Sequence, residues 1–126
     1  MHRLIVGLFV VLLAACSAPD PQYQIPTQMW NGVVVEVQVL PTPVRPGMNE
    51  FLVLTTLERG KPVSDLIVSL RAEQNKEWQQ MIQDGHSGVH RRALYLPGNP
   101  VLHVKLRKKR SEEAVVLEFP LVFEGD

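Results

Sequence analysis

The chain has 126 residues, 45% of them hydrophobic, with 13 Lys and Arg set against 13 Asp and Glu. That length fits one ordinary domain, and the balanced charge lacks the strongly basic bias of nucleic-acid-binding domains, so no nucleic-acid partner is expected. The only cysteine, Cys16, cannot form an internal disulfide or a multi-cysteine zinc site.

The first element has the layout of an export signal. His2 and Arg3 supply positive charge, and Leu4 to Leu13 is apolar apart from Gly7. Such a run falls short of the roughly 20 apolar residues that a membrane-spanning helix needs. It is followed by Leu13-Ala14-Ala15-Cys16, which resembles the bacterial lipobox. The resemblance implies cleavage before Cys16, a thioether-linked diacylglycerol on its sulfur and an acyl chain on its amino group. Residues 1–15 are then a lipoprotein signal peptide, and the chain is held in the bacterial cell envelope by its lipid, facing the periplasm. Ser17 follows the cysteine, with no Asp to resemble an inner-membrane retention signal, which favours the outer membrane. With Cys16 consumed by lipid no free thiol remains, and thiol catalysis is excluded.

Ser17 to Gln28 contains three prolines and few large apolar groups, so residues 16–30 are expected to form an extended tether. A folded domain is expected over residues 31–126. From Gly32 onward the chain alternates with period two and sustains no helical stripe. Val33, Val35, Val37 and Val39 line one face of a first strand, which Pro41, Pro43 and Pro46-Gly47 end. Phe51, Val53, Thr55 and Leu57 mark a second strand, where Leu52 and Leu54 make the other face apolar too. After the turn Arg59-Gly60-Lys61-Pro62, Leu66, Val68 and Leu70 alternate through a third. Glu77 to Gln83 is read as a strand with Trp78, Gln80 and Ile82 on one face, with a short helix as the alternative that its Glu and Gln content would also suit. Asp84 to Gly88 is a loop, Val89 to Leu96 a strand, and Pro97 to Pro100 a tight turn.

The last two strands can be registered against each other. Pairing Leu102 with Phe119, Val104 with Leu117 and Leu106 with Val115 puts these six apolar side chains on one face. The same register sets Lys108 opposite Glu113, Lys109 opposite Glu112 and His103 opposite Glu118, opposite-charge pairings of about 0.2–1 kcal/mol each. The basic run around Lys105 to Arg110 then reads as a solvated hairpin tip, with a lipid-headgroup or acidic-partner patch as the alternative. About seven short strands between Pro/Gly turns predict an all-β, immunoglobulin-like β-sandwich with antiparallel sheets.

Three segments carry a family resemblance: Pro43 to Phe51 with Gly47-x-Asn49-x-Phe51, Gly60-Lys61-Pro62-Val63-Ser64-Asp65, and Gly88-Val89-His90 with Leu102-His103-Val104 further on. Over residues 41–106 this layout resembles the YtkA-like/FixH-like group of exported bacterial domains. The resemblance implies an immunoglobulin-like fold and a setting near copper handling or respiratory-oxidase assembly. The chain has His90 where an aromatic often stands, and it lacks the Met-Pro-x-Met and paired-His signatures of the copper-linked members.

The best metal-ligand candidates are Met81, His86 and His90, since imidazole with thioether suits copper. Each also has an ordinary reading: Met81 as core, His86 as an exposed loop residue, and His90 as a histidine packed beside Leu94 and Leu96. Copper is therefore not expected. No nucleophile elbow, paired-carboxylate signature or Gly-rich phosphate loop marks an enzyme. Trp78 is read as the aromatic plug of the core, with an interface anchor as the alternative for Trp78 or Trp30. The expectation is a non-enzymatic, membrane-anchored envelope lipoprotein whose sandwich binds another envelope protein. The alternative is an accessory factor in copper handling or respiratory-oxidase assembly.

Overall fold

The computed structural model describes residues 25–40, 44–74, 76–98 and 101–122. Cys16 and the proposed signal lie outside the described residues. The strands are β1 (Gln28–Trp30), β2 (Val33–Leu40), β3 (Gly47–Leu57), β4 (Leu66–Arg71), β5 (Gln79–Gln80), β6 (Ile82–Gln83), β7 (Val89–Leu96), β8 (Val101–Lys108) and β9 (Ala114–Pro120). One sheet has the order β1-β2-β3-β7-β6 and the other β5-β4-β8-β9, with every pairing antiparallel. Apart from β1, this is the strand arrangement of an immunoglobulin-like sandwich, with two hairpins exchanging partners across two sheets. Nine strands replace the expected seven because β1 adds an edge and the Glu77–Gln83 segment is split in two.

Period-two alternation fills the space between the sheets. Val33, Val35, Val37 and Val39 of β2, Phe51 and Val53 of β3, and Leu66, Val68 and Leu70 of β4 are buried. Leu102, Val104 and Leu106 of β8 and Phe119 of β9 meet them without any exposure. Each such side chain contributes about 1.5–3 kcal/mol through lost contact with water. Observed register pairs Leu102 with Phe119, Val104 with Leu117 and Leu106 with Val115, as the apolar spacing requires. Lys108 forms an ion pair with Glu113 at 3.3 Å. Lys109 does not face Glu112 in a ladder. The chain already turns there, with Arg110 at φ 64°, and the Lys109 N–H donates to the Asp65 carbonyl at 3.0 Å.

Two further expectations change. Gln28–Trp30, assigned from sequence to the tether, pairs with Val33–Val35 as β1, and Trp30 packs against the core. The hairpin forms because Asn31-Gly32 adopts positive φ at both turn positions, 50° and 79°, the geometry that an Asn-Gly turn supplies. Trp78, Gln80 and Ile82 do not share one strand face. Met81 is buried at 4% exposure while Ile82 is 67% exposed, because the chain changes sheets there. β5 pairs with β4 of one sheet and β6 with β7 of the other, and the Met81 N–H donates to the Val68 carbonyl at 2.8 Å.

Where β3 runs past the start of β7, Thr55 has no exposure to solvent. Its N–H donates to the Gly88 carbonyl at 2.9 Å, its carbonyl accepts from the Val63 N–H at 2.9 Å, and its hydroxyl donates to the Val63 carbonyl at 2.8 Å. Gly88 has φ +75°, and a Cβ there would stand 2.6 Å from the Thr55 carbonyl oxygen. Gly88→Ala therefore combines left-handed strain with a backbone clash. We expect it to destabilise the fold by about 1–3 kcal/mol, read as a lower urea midpoint with an unchanged slope. An unaltered midpoint would show that this approach does not constrain the fold.

Candidate functional site

The three metal-ligand candidates are not brought onto one surface. Met81 and His90 both point inward, at 4% and 1% exposure, whereas His86 is exposed in the 84–88 loop. That loop is closed by its own bonds: the Ser87 hydroxyl donates to the Asp84 carbonyl at 2.7 Å, and the Asp84 carboxylate takes Arg91 at 2.9 Å. Among the described residues, no group of three or more His, Asp or Glu side chains is placed to hold a metal ion.

His90 sits on the core face of β7 with Leu96, as the alternation predicts. Its Nδ1 lies 3.1 Å from the Val53 carbonyl. A carbonyl can only accept, so this nitrogen carries the proton and neutral His90 presents Nε2 as a bare acceptor. No hydrogen-bond partner meets Nε2 among the described residues. Burial pushes the His90 pKa below its ordinary 6.5, reinforced by Lys109 and opposed by the carbonyls of Val53 and Leu66 and by Asp84. Packing at this position favours the uncharged ring.

Outward-facing positions divide into two chemically different surfaces. On the five-stranded sheet, Met48 stands opposite Tyr95 in the β3–β7 register, and the two are 60% and 65% exposed. Leu40 and Ile82 are exposed further along the same face, at 49% and 67%, Leu40 opposite Glu50 and Ile82 opposite Arg91 in the register. Its charges are internally paired: Arg91 reaches Asp84 at 2.9 Å and Glu50 at 3.9 Å. At the end of the sandwich the band runs into a cleft of about 550 Å³, with Met48, Ala93 and Tyr95 on one side and Arg71, Glu73 and Glu77 on the other.

The four-stranded sheet presents a cationic and aromatic surface instead. Trp78 is half-buried and is no plug of the core. Arg71 stands 4.1 Å and Lys105 4.8 Å from the centre of its ring, distances at which cations are attracted to the indole face. His103 lies beside it, ring centres 6.5 Å apart. Although His103 is opposite Glu118 in the register, its side chain bonds elsewhere. The Arg71 Nε–H donates to His103 Nδ1 at 3.1 Å. A histidine alternating with Lys105 and Arg107 reads from sequence as exposed, and nothing in the local pattern announces that Trp78 folds back over it.

His90 makes stability depend on pH. Its lowered folded pKa means that the unfolded chain binds the proton more readily, so stability is full above about 6.5 and falls as pH drops below it. One differential proton gives a slope of at most about 1.4 kcal/mol per pH unit. His90→Gln is expected to shrink the loss between pH 7.5 and 5.5, measured by urea unfolding. An equal loss in both proteins would assign it to other groups.

Comparison of the chain with protein-family models, with curated proteins and with solved structures found no match.

Proposed function

We propose that this chain is a lipid-anchored protein of the bacterial cell envelope whose sandwich is a non-enzymatic binding domain for another envelope protein. The observation that carries the reading is the apolar band of the five-stranded sheet. Exposed Met48 and Tyr95 stand opposite each other on this sheet face, with exposed Leu40 and Ile82 further along it, and exposed apolar residues of this kind mark interaction surfaces. Tyr95 supplies a large amphipathic contact of the type enriched at binding hot spots. The adjoining cleft offers room for a partner side chain.

The anchor rests on the sequence: an apolar run, two small residues and Cys16 in succession. Nine residue steps separate Cys16 from Ile25, at most about 30 Å of extended chain. A lipid on Cys16 therefore keeps the domain close to the bilayer and concentrates it near membrane-bound partners.

Two measurements test the reading. Cells fed an alkyne fatty acid should label the wild-type chain and not Cys16→Ser; equal labelling of both would place the acyl group elsewhere, and no labelling of either would remove the anchor. A photo-crosslinking residue at Tyr95 should give a discrete heavier adduct in cells, and one at exposed Lys61 on the β3–β4 connection should not. Tyr95→Glu should reduce capture of that partner by about tenfold or more with an unchanged circular dichroism spectrum. Adducts equally abundant from both positions would argue against a dedicated surface.

A further inference from the structure

The outward positions of β4, β8 and β9 carry Arg71, Lys105 and Arg107 against a single carboxylate, Glu118. None of the three cations makes an ion pair among the described residues. Arg107 donates to the Ser111 carbonyl at 3.2 Å, and Arg71 uses its Nε on His103. Arg71 and Lys105 are instead held within 5 Å of the same indole ring; Glu73 and Glu77 line the cleft beside Arg71, which leaves Lys105 and Arg107 as the cations of this face with no carboxylate bonded to them. Val116, 45% exposed, extends the same face, so cations, an indole and an apolar side chain share one flat surface. This combination matches a bilayer interface, where phosphates take the cations and indole rings settle at headgroup depth. The opposite sheet sets Glu36, Glu50 and Asp84 against Arg91, which pairs with the last two, so that face has no cationic excess to offer an anionic bilayer.

We propose that the outer face of the four-stranded sheet, centred on Arg71, Trp78 and Lys105, is a docking surface for the phosphate headgroups of anionic phospholipids. It rests on the anchored reading only in that a lipid at Cys16 holds the domain near the bilayer. β1 lies at the edge shared with this sheet, its Gln28 Nε2–H donating to the Glu118 carbonyl at 2.6 Å, so the chain enters the fold beside the proposed surface. With this face down, the apolar band of the other sheet points away from the membrane toward partners.

The test uses the full chain purified from membranes as the cell processes it. It is mixed with vesicles of phosphatidylcholine alone or containing phosphatidylglycerol, labelled with an amine reagent and read by mass spectrometry. Lys105 labelling is expected to fall at least fivefold on the anionic vesicles, with Lys61 unchanged, and to recover at 1 M salt, where the screening length is about 3 Å. Arg107→Gln leaves the Trp78 contacts in place and should weaken the protection about fivefold, the loss of one cation at a membrane surface. Equal Lys105 labelling on both vesicle types overturns the proposal. Protection by millimolar inorganic phosphate without vesicles, or by polyglutamate but not vesicles, also overturns it, in favour of a soluble-anion site or an acidic-protein surface. Flotation with phosphatidylcholine vesicles reports the anchor separately. A chain that fails to float there yet gains Lys105 protection on anionic vesicles upholds the headgroup surface and refutes the anchor.

Discussion

Thr55 is closed off from water, and an unpaired buried main-chain group costs about 1–3 kcal/mol. Its N–H, carbonyl and hydroxyl are all engaged, by Gly88 on one side and Val63 on the other. Those bonds fasten the end of β3 to the start of β7 and to the segment that carries the chain across to β4. The crossing between sheets is thereby fixed in position, and with it the offset at which Leu66, Val68 and Leu70 meet Phe51 and Val53. Only glycine fits at position 88, because the carbonyl of Thr55 occupies the space a side chain would take.

The second crossing, at Met81, is handled differently. There the chain does not loop out; it passes from one sheet to the other within a few residues, spending its hydrogen bond on Val68 and its side chain on the core. This closes one side of the sandwich covalently. The opposite side is closed by β1 against β9 through Gln28, and by Asn31 Nδ2 donating to Glu113 at 2.9 Å. Edge strands that invite pairing with other chains are thus turned toward one another. What remains available is the two broad faces, one apolar with self-paired charges and one cationic around Trp78.

The alternation of Val, Leu and Phe made most strands readable, and the β8–β9 register followed from it because a one-residue slip would turn Leu102, Val104 and Leu106 outward. Three features escaped for identifiable reasons. Asn31-Gly32 is a strong hairpin signal, but the prolines before it drew β1 into the tether. Met81 and Ile82 could be ordered only by knowing that the chain switches sheets between them. The environment of Trp78 depends on Arg71, His103 and Lys105 arriving from two other strands, and such convergence leaves no local trace. The residues carrying the family resemblance have structural duties that explain their types. Gly47 adopts φ 103°, buried Asn49 donates to the Arg45 and Gly47 carbonyls at 2.7 and 3.1 Å, and Phe51 fills the core.

β1 also gives the domain a mechanical character. It is three residues long and joined to β2 by a tight turn, so tension applied through the residues before Ile25 pulls along the hairpin's free arm and opens its few bonds one after another. The eight-residue β2, bonded along its whole length to β3, resists far longer. Peeling β1 and its turn releases roughly 15 Å of chain at about 3.3 Å per residue before the valine layer of β2 is disturbed. The edge strand is therefore the first element that load from the N-terminal side reaches, held there by its ladder to β2, by Trp30 on the core and by Gln28 on Glu118.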